Sequence, residues 1–181
     1  MMLPDSLFDN AISSLLDEVR DDYARLTRSG LIRGIIAVDQ DAKVLAVDEY
    51  FEMSGLNYWE LGSLAAALHG VARQGRAFFP DAGNLERGSM IYNNCQFFVQ
   101  AIGTVTPPNG PPRELLLAVL ADKGVNVGLI VGQMRRKAAK ILATVESSDA
   151  AVQCLEMNER EIREHILQLK RTLTAPGSPA A

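Results

Sequence analysis

Seven consecutive apolar residues, Leu115 to Ala121, bounded by Arg113-Glu114 and Asp122-Lys123, constrain this chain more than any other segment. The run is too short for a helix, and it lacks the alternation of a strand with one wet face. An uninterrupted apolar strand is expected where both sheet faces are covered and both edges are paired. Leu115–Ala121 therefore belongs in the middle of a sheet.

Two β-hairpins can supply the neighbouring strands. Ile32 to Val38 and Lys43 to Val47 are β-branched runs separated by Asp39-Gln40-Asp41-Ala42, which reads as the first hairpin. Asp39 and Asp41 could approach a cation, but two carboxylates fall far short of a calcium or magnesium shell, and Asp is an ordinary turn residue. Ser89 to Tyr92 and Cys95 to Ile102 flank Asn93-Asn94, and Asn tolerates the positive φ of a tight hairpin turn. In that register Met90 faces Phe97 and Tyr92 faces Cys95, so one side of the hairpin stays apolar through Val99 and Ala101. The third strand carries no charge and no proline over Ser89–Tyr92 and lacks protection against edge pairing. Thr106 to Pro112, rich in Pro and Gly, is a connecting loop.

Helical periodicity accounts for the rest. Asp5 or Ser6 can cap a first helix whose Leu7, Phe8, Ala11, Ile12, Leu15, Leu16, Val19, Tyr23 and Leu26 form one stripe, ended by Gly30. After a loop centred on Ser54-Gly55, a second helix spans about Tyr58 to Phe79. Its inward face is expected to be Leu61, Leu64, Ala65, Leu68, Ala72, Gly75 and Phe79. Asn126 caps a third, with Val127, Ile130, Val131, Met134, Ala138, Ile141, Leu142 and Val145 inward and Arg135, Arg136, Lys137 and Lys140 largely outward. From Ala150 to about Leu173 runs a fourth helix with Leu155, Ile162 and Leu169 seven apart. Val152, Ile166 and Leu173 fill a second seam that Glu159 interrupts. This short heptad pattern is compatible with a coiled coil or with packing on the parent domain. Ala175 to Ala181 reads as a frayed tail.

Charge and motifs narrow the function. Of 181 residues, 18 are Lys or Arg and 22 are Asp or Glu, a net charge of −4, which offers no field for a nucleic-acid backbone. No apolar stretch suits a membrane helix, and the first residues lack a secretory pattern, so a cytoplasmic protein is expected. Cys95 and Cys154 form no metal-spaced or redox pair. The chain has no Gly-x-Ser-x-Gly elbow, no His-Glu-x-x-His and no phosphate-binding Gly-x-x-x-x-Gly-Lys-Ser/Thr loop. It is expected to have no catalytic site, no metal and no cofactor. Gly124, Gly128 and Gly132 are expected to form a smooth stripe for close packing. His69 and His165, on different helices, are expected to be partly exposed helix residues.

The order is helix, hairpin, helix, hairpin, strand, helix and an added helix. In that order, the chain resembles the roadblock family, the dynein-light-chain-type domain whose bacterial and archaeal members are often regulators of Ras-like GTPases. The matching stretches are Gly34-Ile-Ile-Ala-Val-Asp39 through Lys43-Val-Leu-Ala46, the Leu61-to-Ala72 helix, Glu114-Leu-Leu-Leu-Ala-Val-Leu120, and Asn126-Val-Gly-Leu-Ile through Ala138-Ala-Lys-Ile-Leu142. Ala42 departs from the pattern, since the family's first hairpin turn commonly has Gly there.

The resemblance implies an α+β, roadblock/profilin-like fold over residues 5–145. Its five-stranded antiparallel sheet lies between two helices on one face, the first and third, and one on the other. A C-terminal helical extension (150–173) and a flexible tail (174–181) follow. It also implies a symmetric dimer in which second helices pack together and third strands pair edge to edge. On the second helix Ser63, Ala66, Ala67, Gly70 and Ala77 lie opposite the Leu stripe, and small residues allow close helix approach. With Ser89, Met90, Ile91 and Tyr92 of the third strand, they form the expected dimer interface. Arg135, Arg136, Lys137 and Lys140 form a basic cluster suited either to solvent or to an acidic partner. Arginine supplied in trans can stabilise charge in GTP hydrolysis, but family members that stimulate a GTPase are thought to reshape its loops, so neither arginine is assigned as a finger. The expected partners are a second copy and a small Ras-like GTPase. The expected function is that of a non-enzymatic homodimeric regulator or scaffold, with an assembly module acting through the C-terminal helix as the alternative.

Overall fold

The computed structural model describes residues 10–50, 57–79, 81, 83 and 85–157. Its elements are α1 (Asn10–Leu26), β1 (Ile32–Asp39), β2 (Val44–Val47) and α2 (Tyr58–Gln74), which runs into a 3₁₀ turn at Gly75–Phe78. They continue with β3 (Arg87–Ile91), β4 (Cys95–Val105), β5 (Arg113–Asp122), α3 (Val127–Ser147) and α4 (Asp149–Glu156). The sheet order is β2-β1-β5-β4-β3 with every neighbour antiparallel. The apolar run thus occupies the central strand, β5, and Leu115 to Leu117 are 2% exposed or less.

Two cores follow from the two covered faces. Ile12, Leu16 and Val19 of α1 and Ile130, Met134 and Ile141 of α3 pack with Ile35, Phe98, Leu117 and Val119 on one side. Tyr58, Ala65 and Leu68 of α2 pack with Ile36, Phe97, Val99 and Leu116 on the other. The α+β arrangement of one sheet between two helices and one is as expected. Side-chain caps start the helices: Asn57 Oδ1 accepts from Trp59 and Glu60 N–H, Asn126 Oδ1 from Leu129, and Ser148 Oγ from Ala151. Each such cap contributes about 1 kcal/mol.

Both hairpins form. Met90 pairs with Phe97, and Tyr92 N–H donates to Cys95 C=O at 2.8 Å across Asn93-Asn94. In the first hairpin Ala42 has φ +69°, which makes it the residue that takes the left-handed place glycine would fill.

Several expectations are corrected. Leu26 ends α1 and is 56% exposed, because the chain leaves the helix there to reach β1. Leu64 was expected inside and points out, while Gly62, Ala65 and His69 are buried. The reason is steric: a Cβ at Gly62 would sit 2.8 Å from Val44 Cγ2, so α2 lies against β2 on its smallest residue and its inward face is rotated from the Leu stripe. Phe79 is exposed because the 3₁₀ turn breaks the α-helical period before it. The third strand begins at Arg87, so it is not charge-free.

The fourth helix begins in the core, with Ala151 and Leu155 fully buried against the α1/α3 side. Packing on the parent domain is therefore what residues 149–156 do. The seam residues Ile162, Ile166, Leu169 and Leu173, the interrupting Glu159, the tail, His165, Leu7, Phe8, the caps Asp5 and Ser6, and Ser54-Gly55 lie outside the described residues.

Candidate interaction site

On α2, Ser63 and Ala67 are exposed and Ala66 and Gly70 are half-buried, and Ala77, in the 3₁₀ turn after it, is exposed. A Cβ at Gly70 would meet nothing within 4 Å, so nothing within the described protomer uses the space that this glycine leaves open. Sequence reasoning missed the large exposed residues there. Leu64 and Val71, seven apart on α2, are 38% and 69% exposed, and Phe78, in the 3₁₀ turn that follows, is 82% exposed. The seven-residue spacing of Leu64 and Val71 is the available signal, but apolarity alone groups Leu64 with the inward stripe.

The β3 strand forms one edge of the sheet. Ser89 and Ile91 are exposed, Met90 is half-buried against the α2-side core, and Tyr92, just past the strand end, is 52% exposed. Gly88 lies beneath Leu68 of α2. The α2 helix thus packs over β3 through Leu68, and among the described residues β3 has a strand partner on one side only.

The basic cluster on α3 is different from a free docking face. Arg135 pairs with Glu86 at 2.5 Å. Lys137 bonds to Glu18 and lies 3.7 Å from Asp22, and Lys140 lies 3.7 Å from Glu18. Hydrogen bonding to Lys137 holds Glu18 below the ordinary carboxylate range and raises Lys137 above the ordinary ammonium value. The cluster's first task is therefore to tie α3 to α1 and to the segment before β3. Arg136 is exposed, and no ion pair to it is found among the described residues. Gly124, in the turn before α3, and Gly128 and Gly132 within it also differ from expectation. Gly124 and Gly132 have nothing within 4 Å of a Cβ position, and Gly128 has only Asn126 Oδ1 at 3.4 Å. They border open space rather than a packed neighbour.

Two buried polar sites were not legible beforehand. His69, expected partly exposed, is 2% exposed because it lies on the true inward face, and its Nε2 lies 3.0 Å from Glu114 Oε2. Lys43 is 6% exposed and donates from Nζ to Leu155 C=O at 2.6 Å, so the first hairpin clasps the end of α4. Burial lowers the Lys43 ammonium pKa, and burial raises that of the neighbouring Asp39 carboxyl, which accepts N–H bonds from Asp41 and Lys43. Among the described residues no group of three or more metal-ligating side chains converges, and no helix is long and apolar enough to cross a membrane.

This architecture is that of known structures. A roadblock/LC7 domain from Streptomyces avermitilis superimposes with a TM-score of 0.53 at 18% identity, over 75% of this chain and 94% of that one. The fold is the roadblock fold. MglB from Myxococcus xanthus gives 0.54 at 14% identity, over 76% and 97% of the two chains. A structure described as MglB with a tetrameric arrangement gives 0.54 at 15% identity, over 86% and 94%. No family model matches the sequence, and no curated protein matches it. The likeness is therefore carried by the roadblock fold and not by sequence.

Proposed function

We propose that this chain is a non-enzymatic homodimer, paired through α2 and the β3 edge, that binds a small Ras-like GTPase as its regulator or scaffold. The single observation that carries the pairing is the apolar pair Leu64 and Val71, uncovered on α2 among Ser63, Ala66, Ala67 and Gly70, with exposed Ala77 and Phe78 in the turn that follows. A twofold axis beside this face would bury the apolar pair against its own copy and give Ser89, Met90, Ile91 and Tyr92 a strand partner. The roadblock fold supports the GTPase reading through the resemblance already described. Within the proposed division, residues 5–145 are the interaction unit, 150–173 are the extension and 174–181 are the tail. Arg136, with Arg135, Lys137 and Lys140 beside it, is the proposed docking point for an acidic surface.

Light scattering tests the pairing. Gly70→Leu adds a side chain where the protomer has room, so the fold is retained, while a close helix pair is crowded by more than packed interfaces tolerate. Val71→Asp places a charge at the centre of the face. Both are expected to be folded monomers by circular dichroism and mass. Two folded, unchanged dimers would refute the assigned face. For the partner, mixing with the Ras-like GTPase encoded nearest to this chain should give a complex or change its nucleotide hydrolysis or exchange, and neither result would sink the regulatory reading.

The adaptor alternative is favoured by one observation. Buried Ala151 and Leu155, with Lys43 bonded to the Leu155 carbonyl, make a fixed root for the extension. Removing residues 158–181 leaves that root in place. An adaptor would lose capture of its other partner while keeping dimer and GTPase binding.

A further inference from the structure

Asn109-Gly110 is the only Asn-Gly pair in the chain, and it lies in a β-turn of the loop between β4 and β5. Gly110 N–H donates to Pro107 C=O at 3.3 Å, with Pro108 and Asn109 at the corner. Proline at the second position and glycine at the fourth favour such a turn. At 3.3 Å this bond is longer than the usual N–H···O range, so it holds the Gly110 nitrogen loosely. Asn109 is exposed. Asparagine is a thermolabile residue, and before glycine the next backbone nitrogen meets least steric resistance in reaching its carboxamide. Asn109 also has a structural task. Its own N–H donates to Glu156 Oε1 at 2.9 Å, and Glu156 is the last residue of α4. That bond, with Lys43 Nζ on Leu155 C=O, ties the end of α4 to the loops at this end of the sheet.

We propose that Asn109-Gly110 is a self-modification site whose reaction loosens α4. The Gly110 nitrogen, giving its proton to water, attacks Asn109 Cγ. A C–N bond forms, the carboxamide C–N bond breaks, and ammonia leaves a five-membered succinimide. Water then opens one of the two ring C–N bonds, giving aspartate or isoaspartate at position 109. Water is the sole co-reactant. Either product sets a new carboxylate beside that of Glu156, where like charges repel, and isoaspartate also lengthens the main chain by one methylene. Both weaken the bond from the residue-109 N–H to Glu156, and with it the hold on the helix from which residues 158–181 continue. The site is complete in a single protomer, so its failure leaves the pairing and GTPase reading untouched.

The test is to age the full chain in mildly alkaline buffer at physiological temperature and map its peptides by mass. The peptide holding Asn109 is expected to lose one ammonia and gain one water ahead of the other asparagines, with aspartate and isoaspartate both present. Gly110→Ala should keep Asn109 intact over the same period, because the added methyl hinders the attack. The fold admits this change: Gly110 is not left-handed, and a Cβ there would meet only Pro107 Cβ and Cγ, at 3.6 and 3.7 Å. Asn109→Asp supplies one product directly. With native circular dichroism, its Cys154, on α4 and partly buried, should be labelled by iodoacetamide several-fold faster than that of the fresh parent. Adding Glu156→Gln, which removes the repulsion and keeps an accepting oxygen, should restore the parent's rate. An aged parent with Asn109 intact, a Gly110→Ala chain that converts as fast as the parent, or an Asn109→Asp chain labelled at the parent's rate overturns the proposal.

Discussion

Ala42→Gly is expected to stabilise this protein, and the size of the effect can be worked from the first hairpin. Ala42 N–H donates to Asp39 C=O at 3.1 Å, and Asp39 N–H donates to Lys43 C=O at 3.0 Å. Gln40, Asp41 and Ala42 therefore form a three-residue loop whose last residue must be left-handed, the position usually given to glycine. With φ at +69°, an L side chain there costs about 1–2 kcal/mol. Glycine removes that cost but gives the unfolded chain more freedom, which takes back about 0.4–1 kcal/mol. Taken at the middle of each range, the net gain is about 0.8 kcal/mol, or a rise of about 2–3 °C in Tm for a chain of this length. Thermal and urea unfolding at fixed protein concentration would measure it, with the urea midpoint shifting and the slope unchanged. Ala42→Val, which adds a β-branch at the same φ, should move the midpoint the other way. An Ala42→Gly protein with native circular dichroism and an unchanged or lower Tm would refute the reasoning.

Lys43→Met should loosen α4, because it removes the bond to Leu155 C=O and leaves that buried carbonyl without its side-chain donor, a loss of about 1–3 kcal/mol. Cys154 reports this locally: burial pushes its thiol up to about 11, so iodoacetamide should label it slowly at neutral pH in the parent and faster in the variant. Equal labelling rates would argue against the clasp. Asp122 takes hydrogen bonds from the Arg33 guanidinium and from Leu31 N–H, and these hold its carboxyl below the ordinary value. Its stabilisation is therefore complete above the unfolded carboxylate range and is lost as the pH falls through the folded value. Asp122→Asn should be less stable than the parent near neutral pH, with the two denaturation curves converging in acid. A gap that is constant with pH would show that the charge is not the cause.

What could be read from sequence was what backbone periodicity and turn chemistry determine. The unbroken run from Leu115 placed β5 at the centre, Asn93-Asn94 placed a two-residue turn, and Asn126 placed the start of α3, all of which need only local information. The rotation of α2 could not be found in this way. The α2 helix carries apolar residues on both sides, exposed Leu64 and Val71 as well as Tyr58, Ala65 and Leu68 toward the sheet, so hydrophobicity does not identify the inward one. Leu64 and Leu68, four apart and equally apolar, ended on different sides: Leu68 packs toward the sheet and Leu64 toward solvent. The deciding residue is Gly62, because only there does Val44 come within 2.8 Å of a Cβ position. The buried polar groups were hidden for a related reason. His69 and Lys43 are polar by type, and only their partners, Glu114 across the α2–β5 contact and the Leu155 carbonyl far along the chain, make burial tolerable.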